Sequence, residues 1–161
     1  MTSTALAAGG LVLELWVPGL PGAQGSKRYV GHRDGKPLLL EQSKAVAPWR
    51  ALVTSHATLA LARHAARRSF PLTGPVSVDV EFRVPRPPSV SVADRPLPIV
   101  PPDLDKLTRA LFDALTQAKA WRDDSLVVTL TARKTYAQQP QPGGHDGPGA
   151  HITITPLEDP R

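Results

Sequence analysis

The sequence predicts an α+β fold: a mixed, mainly antiparallel sheet with two helices packed on it. Three observations lead there. Val76, Val78, Val80, Phe82 and Val84 alternate strictly with Ser77, Asp79, Glu81 and Arg83, the period-two signature of a strand with one covered face. That alternation suits an antiparallel or mixed sheet better than a doubly covered parallel one. Two stretches carry helical spacing instead, and clusters of proline and glycine separate them from the strand-like runs. At 161 residues the chain is expected to form a single domain over 1–161, large enough to bury a core without covalent staples.

Taken in order, Leu11–Val17 is rich in Val, Leu and Trp and is closed by Pro18-Gly19 and Pro21-Gly22, which makes it the first strand. Gly25 to Arg33 holds Lys27, Arg28, His32 and Arg33 beside Tyr29, and Lys36 to Glu41 reads as a short partner strand. A basic hairpin or loop results, suited either to phosphate contact or to a solvated surface. Pro48 suits the first turn of a helix, and Trp49 to Arg68 contains no further Pro or Gly, so a long helix is expected there with Trp49, Val53 and Ala60 on one face. Arg63, Arg67 and Arg68 fit the negative end of its dipole. His56 and His64 lie near the same face as Trp49 and read as packed side chains rather than metal ligands.

After the strand at 76–84, Pro85 to Pro102 carries seven prolines and is expected to be an extended loop without helix, either a substrate clamp or a surface insertion. Leu107, Ala110, Leu111, Ala114, Leu115 and Ala118 then fall on one helical face, with Asp105 and Arg109 opposite. Leu126 to Thr135 reads as a strand, 137–150 as a mobile Gln, Pro and Gly loop, and His151 to Thr155 as the final strand.

Composition narrows the function. The chain has no cysteine, which removes disulfides, thiolate zinc sites and cysteine nucleophiles and favours an intracellular, cytoplasmic setting. The N-terminal residues lack the pattern of a signal peptide, and no run approaches the roughly 18 apolar residues of a membrane span, so no membrane partner is expected. A net charge of +5, from 19 Lys and Arg against 14 Asp and Glu, favours a polyanionic partner.

Against that charge, four acids gather at two points, Asp103 with Asp105 and Asp123 with Asp124. If 103–105 is extended, both carboxylates face one spot, and Asp105 is placed to be the N-cap of the following helix. That helix carries the chain about 24 Å at ~1.5 Å per residue, so Asp123 and Asp124 sit at its far end unless the next strand runs back. Such a set suits Mg²⁺ or Mn²⁺, which take oxygen ligands and share them with a substrate phosphate. Lys106 or Arg109 would neutralise charge developing on phosphoryl oxygens; an exposed pair of Arg109 with Asp105 is the competing role. Asp79 and Glu81 can reach a metal or simply line a solvated face.

The segment from Asp103-Leu104-Asp105-Lys106-Leu107-Thr108-Arg109 through Phe112-Asp113-Ala114-Leu115, followed by Trp121-Arg122-Asp123-Asp124, resembles the core of the RusA family of Holliday junction resolvases. The close match covers Asp103 to Asp124, and the order of strand, long helix, strand, helix, strand extends it. The resemblance implies a RusA-like fold and a homodimeric, Mg²⁺-dependent endonuclease that nicks two strands of a four-way DNA junction symmetrically. By position it makes Asp103, Asp105 and Asp124 metal-binding catalytic residues with Asp123 beside them, and puts Arg109 where the family has a functional lysine. Two departures stand out: Lys106 replaces the family's Asn, and Arg109 exchanges a compact ammonium for a planar fork. Lys27, Arg28, Arg33, Lys106 and Arg109 are the expected DNA contacts. The alternatives are a non-catalytic DNA-binding module, in which the aspartates cap and turn, and a metal-dependent phosphohydrolase acting on nucleotides.

Overall fold

The structure is a computed structural model that describes residues 11–25, 27–41, 44–138 and 145–159. Six strands and two helices follow in the order β1 (Leu13–Pro18), β2 (Lys27–Arg33), β3 (Lys36–Glu41), α1 (Val46–Arg63), β4 (Val76–Val84), α2 (Leu104–Gln117), β5 (Val127–Tyr136) and β6 (Gly149–Pro156). The strand order β1-β6-β4-β5 forms one sheet, antiparallel except where β4 and β5 run parallel, and β2 and β3 form a separate antiparallel hairpin. This is the α+β arrangement of a mixed, mainly antiparallel sheet under two helices that the sequence predicts.

Alternation decides which sheet face is covered. Leu13, Leu15 and Val17 of β1, the five apolar residues of β4, and Ala150, Ile152 and Ile154 of β6 are all buried on one side. Both helices lie there, α1 against β1 and α2 towards β5. Val46, Trp49, Val53, Ala57 and Leu61 face inward from α1, and Leu107, Ala110, Leu111, Ala114 and Leu115 from α2. These residues form one continuous core with Trp121, whose indole Nε1 donates to Thr116 Oγ1 at 2.7 Å. Gly22 lets the chain after β1 pass against the Ala45 carbonyl, where a Cβ would collide.

Several boundaries differ from the sequence expectation. Helix α1 stops at Arg63, five residues before Arg68, because His64 leaves the helix with an extended backbone. Its Nε2 donates to Val12 O at 3.0 Å and its Nδ1 accepts from the Ala66 N–H at 3.0 Å. Arg67 and Arg68 belong to a separate short 3₁₀ turn. Ala60 is half-buried and Ala57 takes the core position. The last strand starts at Gly149, earlier than the expected loop allows; 139–144 of that loop lie outside the described residues. The Pro85 to Pro102 stretch has no helix, as its prolines dictate.

Strand β5 is an edge. A bulge opposite Val76 and Ser77 makes Val128 the extra residue, after which β4 and β5 stay in step from Ser77 with Thr129 to Val84 with Tyr136. Val128 is 62% exposed and Leu130 45%.

Phe82 is completely buried towards the end of β4, so Phe82→Ala leaves a large cavity and is expected to lower stability by about 3–5 kcal/mol. Urea denaturation followed by tryptophan fluorescence measures this directly; a loss under ~1 kcal/mol would mean the covered face is packed differently.

Candidate active site

The site begins at the entrance to α2. Asp103 is the N-cap, with extended backbone, and Leu104 is the first helical residue. Asp105 therefore lies inside the first turn and is not the cap, and the segment is not an extended pair with both carboxylates on one side. The helix starts two residues early because Asp103, following the proline pair, already has the extended conformation an N-cap needs. No backbone N–H is capped by the Asp103 side chain; it pairs instead with Lys106, Nζ to Oδ2 at 3.0 Å. Both side chains are about half exposed, so this pair orients the carboxylate more than it stabilises the fold. Asp105 and Arg109 both lie on the exposed face, and no ion pair joins them among the described residues.

A residue that the sequence reading passed over positions this turn. Lys134 follows the β5 alternation onto the covered face beside Phe82, and its Nζ donates to the carbonyls of Val100 at 2.8 Å and Pro102 at 2.7 Å. A lysine at a strand position that should face apolar packing is the signal that it has a particular partner. Arg86 does the same for the rest of the proline-rich loop. Its guanidinium lies 4.0 Å from the centre of the Tyr136 ring and donates to the carbonyls of Ser91, Arg95 and Pro96. Arg95 reaches the Tyr136 hydroxyl at 3.3 Å. Between this loop and the end of β5 lies a cleft of about 850 Å³, lined mainly by prolines with Val90, Val92, Leu97 and Tyr136.

The second acidic pair is elsewhere. Asp123 caps a 3₁₀ turn, and its Oδ1 accepts from the Ser125 N–H at 2.9 Å; this hydrogen bond holds its pKa below the usual carboxylate value, with the nearby Arg122 charge contributing. Asp124 opens that turn, ahead of β5 instead of within it. The turn is fixed to the start of β4: Leu72 N–H donates to Ala120 O, Arg122 N–H to Leu72 O, and Val127 lies beside Val76. Pro102, by contrast, is tied to Lys134, seven residues along β5. Strand β5 does run back along α2, but it starts after Asp124. The two acidic pairs therefore stand at opposite ends of α2, about 20 Å apart by the helix rise of ~1.5 Å per residue. The strand rise of ~3.3 Å over seven residues gives about the same.

No group of three or more Asp, Glu or His able to hold a metal ion occurs among the described residues. Asp79 and Glu81 are otherwise engaged on the open sheet face. Arg133 reaches Asp79 at 3.0 Å and Glu81 at 3.7 Å, Arg83 reaches Glu81 at 3.1 Å, and the Thr135 hydroxyl donates to Glu81 at 2.9 Å. His56 is half-buried on α1, and His64 stacks edge-on against Phe70. Arg33 is exposed on the β2-β3 hairpin; the Lys27 and Arg28 side chains are outside the described ones.

This acidic helix entrance, framed by Lys106 and Lys134, lies in a chain of net charge +5, and comparison with known proteins gives its class. The family described as Endodeoxyribonuclease RusA matches residues 18–142, most of the chain, and the chain belongs to that family. Its members are Holliday-junction-resolving endonucleases that act on branched DNA in recombination, in general with a divalent metal. The uncharacterized protein YqaN of Bacillus subtilis (strain 168) is similar, 34% identical over 140 residues that cover 80% of this chain and 91% of YqaN. No helix among the described residues is long and apolar enough to cross a membrane.

The open-face network has a pH consequence. Desolvation raises the Glu81 pKa, but hydrogen bonds from Arg83 and Thr135 and the charges of Arg83 and Arg133 outweigh it, leaving the group below its ordinary 4.5. A depressed folded value gives stability that is present above the unfolded pKa and lost as pH falls through the folded one. The stability difference between wild type and Glu81→Gln should be widest above pH 4.5 and close on further acidification. Denaturant melts at stepped pH test this, and a gap that widens in acid would contradict it.

Proposed function

We propose that this chain is a Mg²⁺-dependent endonuclease, with Mn²⁺ as a possible substitute, that resolves four-way DNA junctions by symmetric paired nicks and acts in the cytoplasm as a homodimer. The observation that carries the reading is the Asp103, Asp105 and Lys106 turn at the α2 entrance, inside the matched family region and held by Lys134. The separation of the acidic pairs gives the dimer a purpose. One chain supplies Asp103 and Asp105, and a second chain supplies Asp124, with Asp123 beside it, so that the ligand set missing from one protomer is completed between two. A two-fold protein also matches the two-fold symmetry of a junction.

The remaining roles follow from charge and position. Lys106 and Arg109 project from the exposed side of α2 near the acids and would face a scissile phosphate, while Arg33 and its neighbours Lys27 and Arg28 on the hairpin would follow the DNA backbone. Affinity of this electrostatic kind falls steeply with salt. A non-catalytic DNA-binding module predicts the same salt dependence without cleavage.

Two tests separate these. With labelled four-way junction in Mg²⁺, wild type should give paired nicks, and Asp105→Asn should lose them while still binding; tight binding without cleavage in Mg²⁺ or Mn²⁺ would favour the binding module. Subunit mixing is sharper. Asp105→Asn and Asp124→Asn are each expected to be inactive alone, yet co-refolding them in equal amounts should restore about one quarter of the sites, because half the dimers then hold one intact composite site. A complete absence of rescue would place all the acids of a site in one chain.

A further inference from the structure

We propose that a pocket between Arg67 and Lys119, at the far end of the two helices, holds a backbone phosphate of the DNA on which the chain acts. This rests on the reading above of a protein that acts on branched DNA, and names a contact apart from the hairpin and the α2 entrance.

The pocket forms where the C-terminal ends of α1 and α2 meet the segment between α1 and β4. Its volume is about 310 Å³; Thr58, Leu61, Phe70 and Ala118 line it together with Arg67 and Lys119, and no acidic residue does. Leu72 ties the two sides to each other. It bridges to Trp121 in parallel, with the Leu72 N–H donating to Ala120 O at 3.0 Å and the Arg122 N–H to Leu72 O at 2.9 Å. Two basic stretches, Arg67-Arg68 and Lys119 to Arg122, are thereby set side by side. Arg63, Arg67, Arg68, Lys119 and Arg122 are all exposed. None of these side chains makes an ion pair or a hydrogen bond among the described residues. The helix-dipole role that spacing suggests for Arg67 and Arg68 does not account for them, since both lie past the end of α1 in the 3₁₀ turn.

The backbone at Lys119 is the second observation. Its φ is +66°, and it follows α2 at the place where its own N–H donates to Thr116 O and the Ala120 N–H to Leu115 O, both at 3.1 Å. In this kind of helix ending the left-handed residue is usually glycine, because a Cβ is strained there. The dipole of α2 favours a cation at this position, but by less than the strained backbone costs. The lysine is therefore held against the local preference of the chain, and its side chain lines a pocket that also has the Arg67 guanidinium and the Thr58 hydroxyl. Three kinds of donor around a space without a carboxylate suit a phosphate diester. Position favours DNA as its source. Asp124 is five residues on from Lys119, at most about 18 Å at ~3.6 Å per residue, which about five base pairs span at ~3.4 Å each. A strand cut at a site that includes Asp124 would carry its own phosphates to the pocket.

The strained position makes the test clean, because Lys119→Gly removes the charge and relieves the backbone together. This variant should melt at or above the wild-type temperature yet bind a labelled four-way junction more weakly, measured without divalent metal so that nothing is cut. In Arg67→Ala/Lys119→Gly the slope of log K against log salt concentration should become shallower by ~0.9, the loss of one phosphate contact. Arg50→Ala removes one charge from the first half of α1 and should keep the wild-type affinity and slope. Unchanged affinity and slope in the double variant would overturn the pocket, as would a loss in Arg50→Ala equal to that in Lys119→Gly, which would mark an effect of net charge alone. A Lys119→Gly protein that melts well below wild type would overturn it too, since the lysine would then serve the fold. Junction cleavage in Mg²⁺, scored separately, tells the two claims apart. Binding that weakens as described, with no cleavage by wild type, sinks the nuclease reading alone; cleavage by wild type, with unchanged binding in the double variant, sinks the pocket alone.

Discussion

The packing of α2 against the sheet sets the position of every acid at the candidate site. Leu107, Leu111 and Leu115 are fully buried, and burying three such side chains contributes about 5–9 kcal/mol before the entropy of ordering them. The helix cannot slide or tilt without exposing them. Because it runs opposite to β4 and β5, its entrance lies near the end of β5 and its exit near the start. One chain therefore holds two acidic pairs at opposite ends of the same helix, one at its N-cap and first turn and one in the 3₁₀ turn before β5. Keeping four carboxylates apart in the protomer also avoids the repulsion that gathering them without a cation would cause.

The entrance itself is held by cations bonded to backbone carbonyls. Lys134 fixes Val100 and Pro102, and Arg86, stacked on Tyr136, fixes the loop between Ser91 and Pro96. Prolines remove N–H donors and restrict the backbone, but they leave carbonyls unpaired. Two cationic side chains supply what the missing amides cannot. The loop is thus ordered without regular structure, and the aspartates that follow it inherit a fixed position. At the turn itself a third cation, Lys106, pairs with Asp103 and orients its carboxylate.

The elements that were legible in the sequence are those whose signal is local. Strand β4 agrees with its alternation to the residue, and β3 and the core face of α2 agree with their spacing. Less legible features depend on contacts distant in sequence. Helix α1 ends early because His64 bonds to Val12, 52 residues away, and nothing in the helix pattern marks that. The parallel pairing of β4 with β5 is invisible to periodicity, yet it decides that the acidic pairs diverge. The motif around Asp103 was readable because residue types and spacing were enough; its backbone was misjudged by two residues, since Asp103 and Asp105 are equally good caps on paper. Lys134 left only a faint trace, a charge on a face that should be apolar.

The central claim is that the metal-binding set exists between chains and not within one. Mn²⁺ titration followed by the free-ion EPR signal, carried out across a range of protein concentrations spanning the dimer dissociation constant, tests it most directly. Binding should strengthen as dimer forms and fade on dilution into monomer, by mass action. Mn²⁺ binding of equal affinity in the dilute monomer would contradict the account, because one acidic pair would then suffice without the second chain.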